Sequence, residues 1–152
     1  MVDFKKISVH ETPNQSPGFL LWRLSTKWRS FIEAALKPIG LTHPQFVVLA
    51  CLGWLTKGGE RVTQATVGKM AGLDPNTLSQ IIRGLEEKEL VKREASSDGR
   101  AKNPILTPIG EKILSRALPA VETADSRFFE PLNQKERDQF TSISKKSLSH
   151  IF

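Results

Sequence analysis

The chain has no tyrosine, one cysteine and two methionines in 152 residues. A single thiol, Cys51, excludes an intramolecular disulfide framework and any all-cysteine zinc site. His10, His43 and His150 are scattered without metal-ligand spacing, so neither a metal nor a cofactor is expected. No nucleophile–base pair, phosphate-binding glycine loop or dinucleotide fingerprint occurs, and an enzyme is not expected. Without tyrosine, an aromatic ligand would have to stack on Trp or Phe. The polar N-terminus, Met1-Val2-Asp3-Phe4-Lys5-Lys6, lacks the apolar centre of a signal peptide. The longest apolar run, Phe46 to Leu55, is too short to span a bilayer. The expectation is a cytoplasmic protein with no membrane partner.

What is present is enough for a core, with 39% hydrophobic and 25% charged residues. The formal net charge of +6 favours polyanionic partners without selecting one. Residues 1–18 are polar, with Pro13 and Pro17, and read as an irregular arm. From Phe19 to Leu36, the residues Leu20, Leu21, Leu24, Trp28, Phe31, Ile32 and Ala35 recur at helical spacing, and Pro38 and Gly40 end the helix. Thr42 and Gln45 form a capping-box signature. The helix it opens is apolar almost all round, which predicts burial on most sides and core packing for Cys51. A cysteine-based redox sensor is the alternative role for that thiol.

The region from Thr63 to Gly110 carries the functional signal. Thr63 caps a short helix that ends at Gly72. Asp74-Pro75 then opens another, with Leu78, Ile81, Ile82 and Leu85 on one face. Leu90 to Ala95 reads as a strand, Asp98-Gly99 as a hairpin turn, and Asn103 to Leu106 as the return, which Pro104 confines to an edge or an irregular end. Two short helices followed by a charged hairpin predict a winged helix-turn-helix over residues 41–107. The fold class is therefore mainly α with a small β-hairpin wing.

On a helical wheel, Asn76, Gln80, Arg83 and Glu87 oppose the apolar stripe and Ser79 flanks them. Amide and guanidinium groups read base edges: Arg suits guanine, and Asn or Gln suits adenine. Glu86, Glu87 and Glu89 crowd the far end, so the N-terminal half is expected to enter the major groove of double-stranded DNA. The wing adds Arg93, Asp98, Arg100 and Lys102 as expected DNA contacts. A winged helix used as a protein-interaction module is the alternative, and it would show exposed apolar anchors instead. The apolar helices outside the head, residues 19–40 and 108–152, carry Trp28, Phe31, Ile113, Leu118, Phe140 and Ile143, which need a partner surface.

The chain resembles the MarR family of transcriptional regulators. The resemblance rests on Leu41-Thr42-His43-Pro44-Gln45-Phe46, Leu85 through Val91, Asp98-Gly99-Arg100 and Leu106-Thr107-Pro108-Ile109-Gly110. It implies a homodimer with intertwined terminal helices, bound to a pseudo-palindromic operator, usually as a repressor. By position it places Asn76, Thr77, Ser79, Gln80 and Arg83 on the reading helix and Asp98 and Arg100 on the wing. It also implies a cleft between the dimerisation helices and the winged head for a small aromatic or amphipathic effector. Trp22, His43 and Trp54 are the cleft candidates by position, although His43 also reads as a solvated helix start and Trp22 as a dimer contact. Phe19, Trp22, Phe140, Ile143 and Leu148 are the expected dimer-interface residues. The chain departs from the family at Gly68 inside the short helix and at Lys102-Asn103-Pro104 in the wing.

Overall fold

The computed structural model describes residues 1–96, 99 and 102–150. In chain order the elements are α1 (Phe4–Ile7), α2 (Pro17–Leu36), α3 (His43–Leu55), α4 (Gln64–Ala71), α5 (Pro75–Glu87), β1 (Val91–Ala95), β2 (Lys102–Leu106), α6 (Pro108–Phe128) and α7 (Gln134–Ser149). Single 3-10 turns at Pro13–Gln15 and Lys37–Ile39 flank α2. The N-terminal arm is thus not wholly irregular: α1 closes one turn through Ser8 N–H to the Phe4 carbonyl at 2.9 Å.

Side-chain caps set most helix starts. The Ser16 hydroxyl accepts from Phe19 N–H at 3.3 Å, so α2 opens at Pro17, ahead of its apolar stripe. Thr42 accepts from Gln45 N–H while Gln45 Oε1 accepts from Thr42 N–H, the reciprocal box that starts α3. Thr63 accepts from Thr66 N–H at 3.1 Å, and Thr107 from Gly110 N–H at 3.0 Å. Between α4 and α5, Gly72 takes φ +67°, a backbone state glycine reaches without a Cβ penalty.

The core gathers around α3, which touches α2, α4, α5, α6 and β2. Ile32 and Leu36 of α2, Val48, Leu49 and Leu52 of α3, Val67 of α4, and Leu78, Ile82 and Leu85 of α5 are fully buried there. Each such aliphatic side chain contributes about 1.5–3 kcal/mol by leaving water. Burial of α3 covers most of its sides, as expected: within the helix only Pro44 and Trp54 are exposed, Trp54 at 60%, while Cys51 is half-buried and packs against the core. Gly68 accounts for itself: a Cβ there would lie 2.9 Å from Leu78 Cδ2 and 3.3 Å from the Leu73 carbonyl oxygen, so glycine lets α4 pack close on α5.

The hairpin pairs antiparallel from Val91↔Leu106 to Ala95↔Lys102. Pro104 lies opposite Arg93 and is buried, which a two-stranded sheet tolerates because both strands are edges. Helix α6 runs through Pro119 without a break. No single described helix is long and apolar enough to cross a membrane.

Candidate DNA-binding surface

Helix α5 hangs from its cap. One Asp74 oxygen accepts from Asn76 N–H and Thr77 N–H, each at 3.0 Å, and the other accepts from the Thr77 hydroxyl at 2.5 Å. The Thr77 hydroxyl bond, above all, holds the Asp74 carboxyl below its ordinary range, with the backbone bonds adding to it. Thr77, expected at the DNA face, therefore spends its hydroxyl proton on the cap and offers a neighbour only its lone pairs. With Leu78, Ile82 and Leu85 anchored in the core, Asn76, Gln80 and Arg83 stand exposed on the opposite face, and Ser79 is half-buried at its edge.

The acidic end is partly tied inward. Arg93 Nε lies 3.5 Å from Glu86 Oε2, and the Arg93 side chain is only 22% exposed. Arg93 is thus turned onto α5 and does not reach outward, contrary to the expectation that it contacts DNA. Alternation along β1 leaves open which face meets α5, and the pleat puts Arg93 on that face together with Val91. On the other face Glu94 pairs with Lys92 at 2.6 Å and with Arg61 at 3.5 Å. The Lys92 hydrogen bond and charge, then Arg61, hold its carboxyl below the ordinary glutamate range. Arg61 precedes α4 and no local pattern singles it out; only the fold brings it to the wing. Asp98 and Arg100 lie outside the described residues, as does the side chain of Lys102.

The three cleft candidates do not meet within one chain. His43 opens α3 and its ring packs T-shaped against Trp28, centroids 5.0 Å apart. Trp54 lies near the other end of α3, about 16 Å along the axis at 1.5 Å per residue. The Lys57 ammonium sits over the Trp54 ring, 3.3 Å from its centroid. Trp22 is 69% exposed on α2. What the fold builds beside Trp54 is a cavity of about 660 Å³ between α3, α4, β2 and α6, lined by Cys51, Met70, Leu106, Glu111 and Leu118 among others. Trp28, which sequence periodicity assigns simply to the α2 stripe, also carries a polar contact: its indole N–H donates to Asp125. The dimer candidates Phe19, Trp22, Phe140, Ile143 and Leu148 all present exposed apolar surface.

Residues 39–101 match the model of the MarR family. The chain is 36% identical over 139 residues to an HTH-type transcriptional regulator of Bacillus subtilis, YdcH, covering 91% of this chain and 93% of that one. The chain belongs to the MarR family. It is a DNA-binding transcriptional regulator with the winged-helix fold of that family. Among other MarR-type relatives, the HTH-type transcriptional repressor Rv2887 of Mycobacterium tuberculosis is 33% identical over 85% of this chain and 91% of its own. Rv2887 in complex with DNA superposes with a TM-score of 0.64 at 27% identity, covering 86% of this chain and 96% of that one. Its complex with salicylic acid gives 0.64 at 29% identity, covering 86% and 95%. CouR of Rhodococcus jostii, bound to p-coumaroyl-CoA, gives 0.77 at 27% identity, covering 93% and 95%.

Proposed function

We propose that the protein is a cytoplasmic, non-catalytic repressor that works as a two-fold dimer on a pseudo-palindromic operator. The observation that carries this is the polarity of α5. Its exposed N-terminal face holds Asn76, Gln80 and Arg83, and its acidic residues stand at the other end, with Glu86 engaged by Arg93. Base-reading groups therefore lead into the groove and carboxylates trail away from the phosphates. No large exposed hydrophobic side chain occurs among the described residues of α5, as a protein-docking face would need. The exposed apolar residues of α2 and α7 supply the surface that a partner copy covers.

The cavity beside Trp54 is the effector site in this reading. Its mostly apolar walls, with Trp54 among them, suit a small aromatic molecule. Lys57 offers an acidic group on it a partner, while Glu111 in the same lining limits how much negative charge the site takes. Salicylic acid, bound by Rv2887, is a molecule of that kind. The deciding experiment is a titration of an operator duplex with wild type and Arg83→Ala. The substitution costs about 1–3 kcal/mol of binding and relaxes preference at one base pair per half-site. Unchanged operator affinity in Arg83→Ala would overturn the docking orientation.

A further inference from the structure

Lys88 follows α5 directly and reaches far across the fold. Its ammonium donates to the Gly40 carbonyl at 2.7 Å and to Gln45 Oε1 at 2.8 Å, across 48 and 43 residues of sequence. Gly40 closes the 3-10 turn that extends α2, so its carbonyl lies at the negative end of that helix. Gln45 Oε1 is the same atom that caps α3 through Thr42 N–H. One cation thus joins the end of α5 to the end of α2 and the start of α3 through charge-assisted bonds. The helices also approach closely there: a Cβ on Gly84 would lie 3.1 Å from Gln45 Nε2.

The next two residues are held by the start of α6. The Thr107 hydroxyl donates to the Glu89 carbonyl at 2.6 Å, and Thr107 N–H donates to the Leu90 carbonyl at 3.1 Å. A Cβ on Gly110 would fall 2.0 Å from the Leu90 oxygen, so the first turn of α6 rests on this backbone. The tail of α5 is therefore held between the α2–α3 corner and the start of α6.

We propose that Lys88 is a positioning residue for DNA recognition: it sets the angle of α5 against α2 and α3 without touching DNA. It lies about 18 Å along the helix axis from Asn76, at the end of α5 that leads away from the groove. An ammonium on a phosphate and an ammonium that aligns a helix differ in one measurable respect. The first releases a counterion when DNA binds and the second does not. The inference rests on the DNA-binding orientation proposed above.

The test uses a duplex selected from a random library by the wild-type protein and a scrambled duplex of equal length, titrated over a range of salt concentrations. Lys88→Met is expected to weaken binding to the selected duplex about tenfold, within the usual span of couplings between sites. The slope of log affinity against log salt and the binding to scrambled DNA are expected to match wild type. Lys88→Arg is expected to recover much of the loss, since its guanidinium can reach the same acceptors. Unchanged affinity in Lys88→Met overturns the inference, and so does a salt slope reduced by about one unit, which marks a phosphate contact. Gln45→Met provides the second arm. Its loss is expected to overlap that of Lys88→Met, with the double variant little worse than either single one, and multiplicative losses overturn the shared latch. A wild-type protein that selects no sequence overturns the DNA-binding orientation instead.

Discussion

The indole N–H of Trp28 donates to Asp125 Oδ1 at 2.6 Å, joining α2 to α6 across 97 residues of sequence. The same indole ring system packs T-shaped against His43, so both long helices and the start of α3 converge on one part-buried contact. Trp28→Phe keeps a ring beside His43 but leaves the carboxylate without its donor. The expected cost is about 1.5–3 kcal/mol in urea unfolding at fixed protein concentration, the range for a hydrogen bond to a charged group. Asp125→Asn retains an acceptor and is expected to cost less than Trp28→Phe. The reverse order would show that the ring, and not the bond, holds the helices.

His43 gives this junction a pH dependence. Burial, and then the nearby Arg29 guanidinium, holds the imidazole below its ordinary value of 6.5, while Glu33 and Asp125 pull the other way. The unfolded chain therefore binds a proton more readily than the folded one. The stabilising contribution is complete above 6.5 and falls away as pH drops through 6.5 towards the lower folded value. Between pH 7.5 and 5.5, wild type is expected to lose more melting temperature than His43→Asn. Parallel losses would remove His43 from the account.

Cys51 lines the Trp54 cavity, yet burial pushes its thiol above the ordinary 9.0. Little thiolate forms near neutral pH, and the thiolate is the reactive species. Iodoacetamide is expected to alkylate the native protein at least about tenfold more slowly than the urea-unfolded chain. Equal rates, or rapid oxidation of the native thiol by peroxide, would favour a redox sensor.

Glu89 holds φ +57° where α5 turns into β1. That left-handed state costs an L-residue about 1–2 kcal/mol. Glycine removes the strain but adds freedom to the unfolded chain worth about 0.4–1 kcal/mol. Glu89→Gly is therefore expected to stabilise the protein by about 0.5–1 kcal/mol in denaturant titrations. A loss of stability would mean that the glutamate side chain contributes more than its backbone costs.

Local signals wrote the winged head plainly. Asp74-Pro75 marks the start of α5, and Leu78, Ile82 and Leu85 are buried as their spacing requires. Where nearly every position is apolar, as in α3 from Phe46 onward, periodicity carries no direction, and the outward turn of Trp54 depends on what packs beside it. The turn of α1 has no stripe to announce it and rests on local backbone bonds. Arg93 sits in a strand whose alternation is clear but whose inner face is chosen by α5. Lys88 and Arg61 look like solvated cations in sequence because their partners lie 43 and 33 residues away or more.

The uncovered apolar side chains of the terminal helices, Ile143 at 65% exposure and Leu148 at 64%, have a consequence for dosage. If assembly alone covers them, paired reading heads become scarce faster than chains do. Below the dissociation constant of the pair, halving the chain number lowers the number of pairs about fourfold. Operator occupancy then rises steeply over a narrow range of expression, so the same helices that close the dimer also set a threshold for silencing.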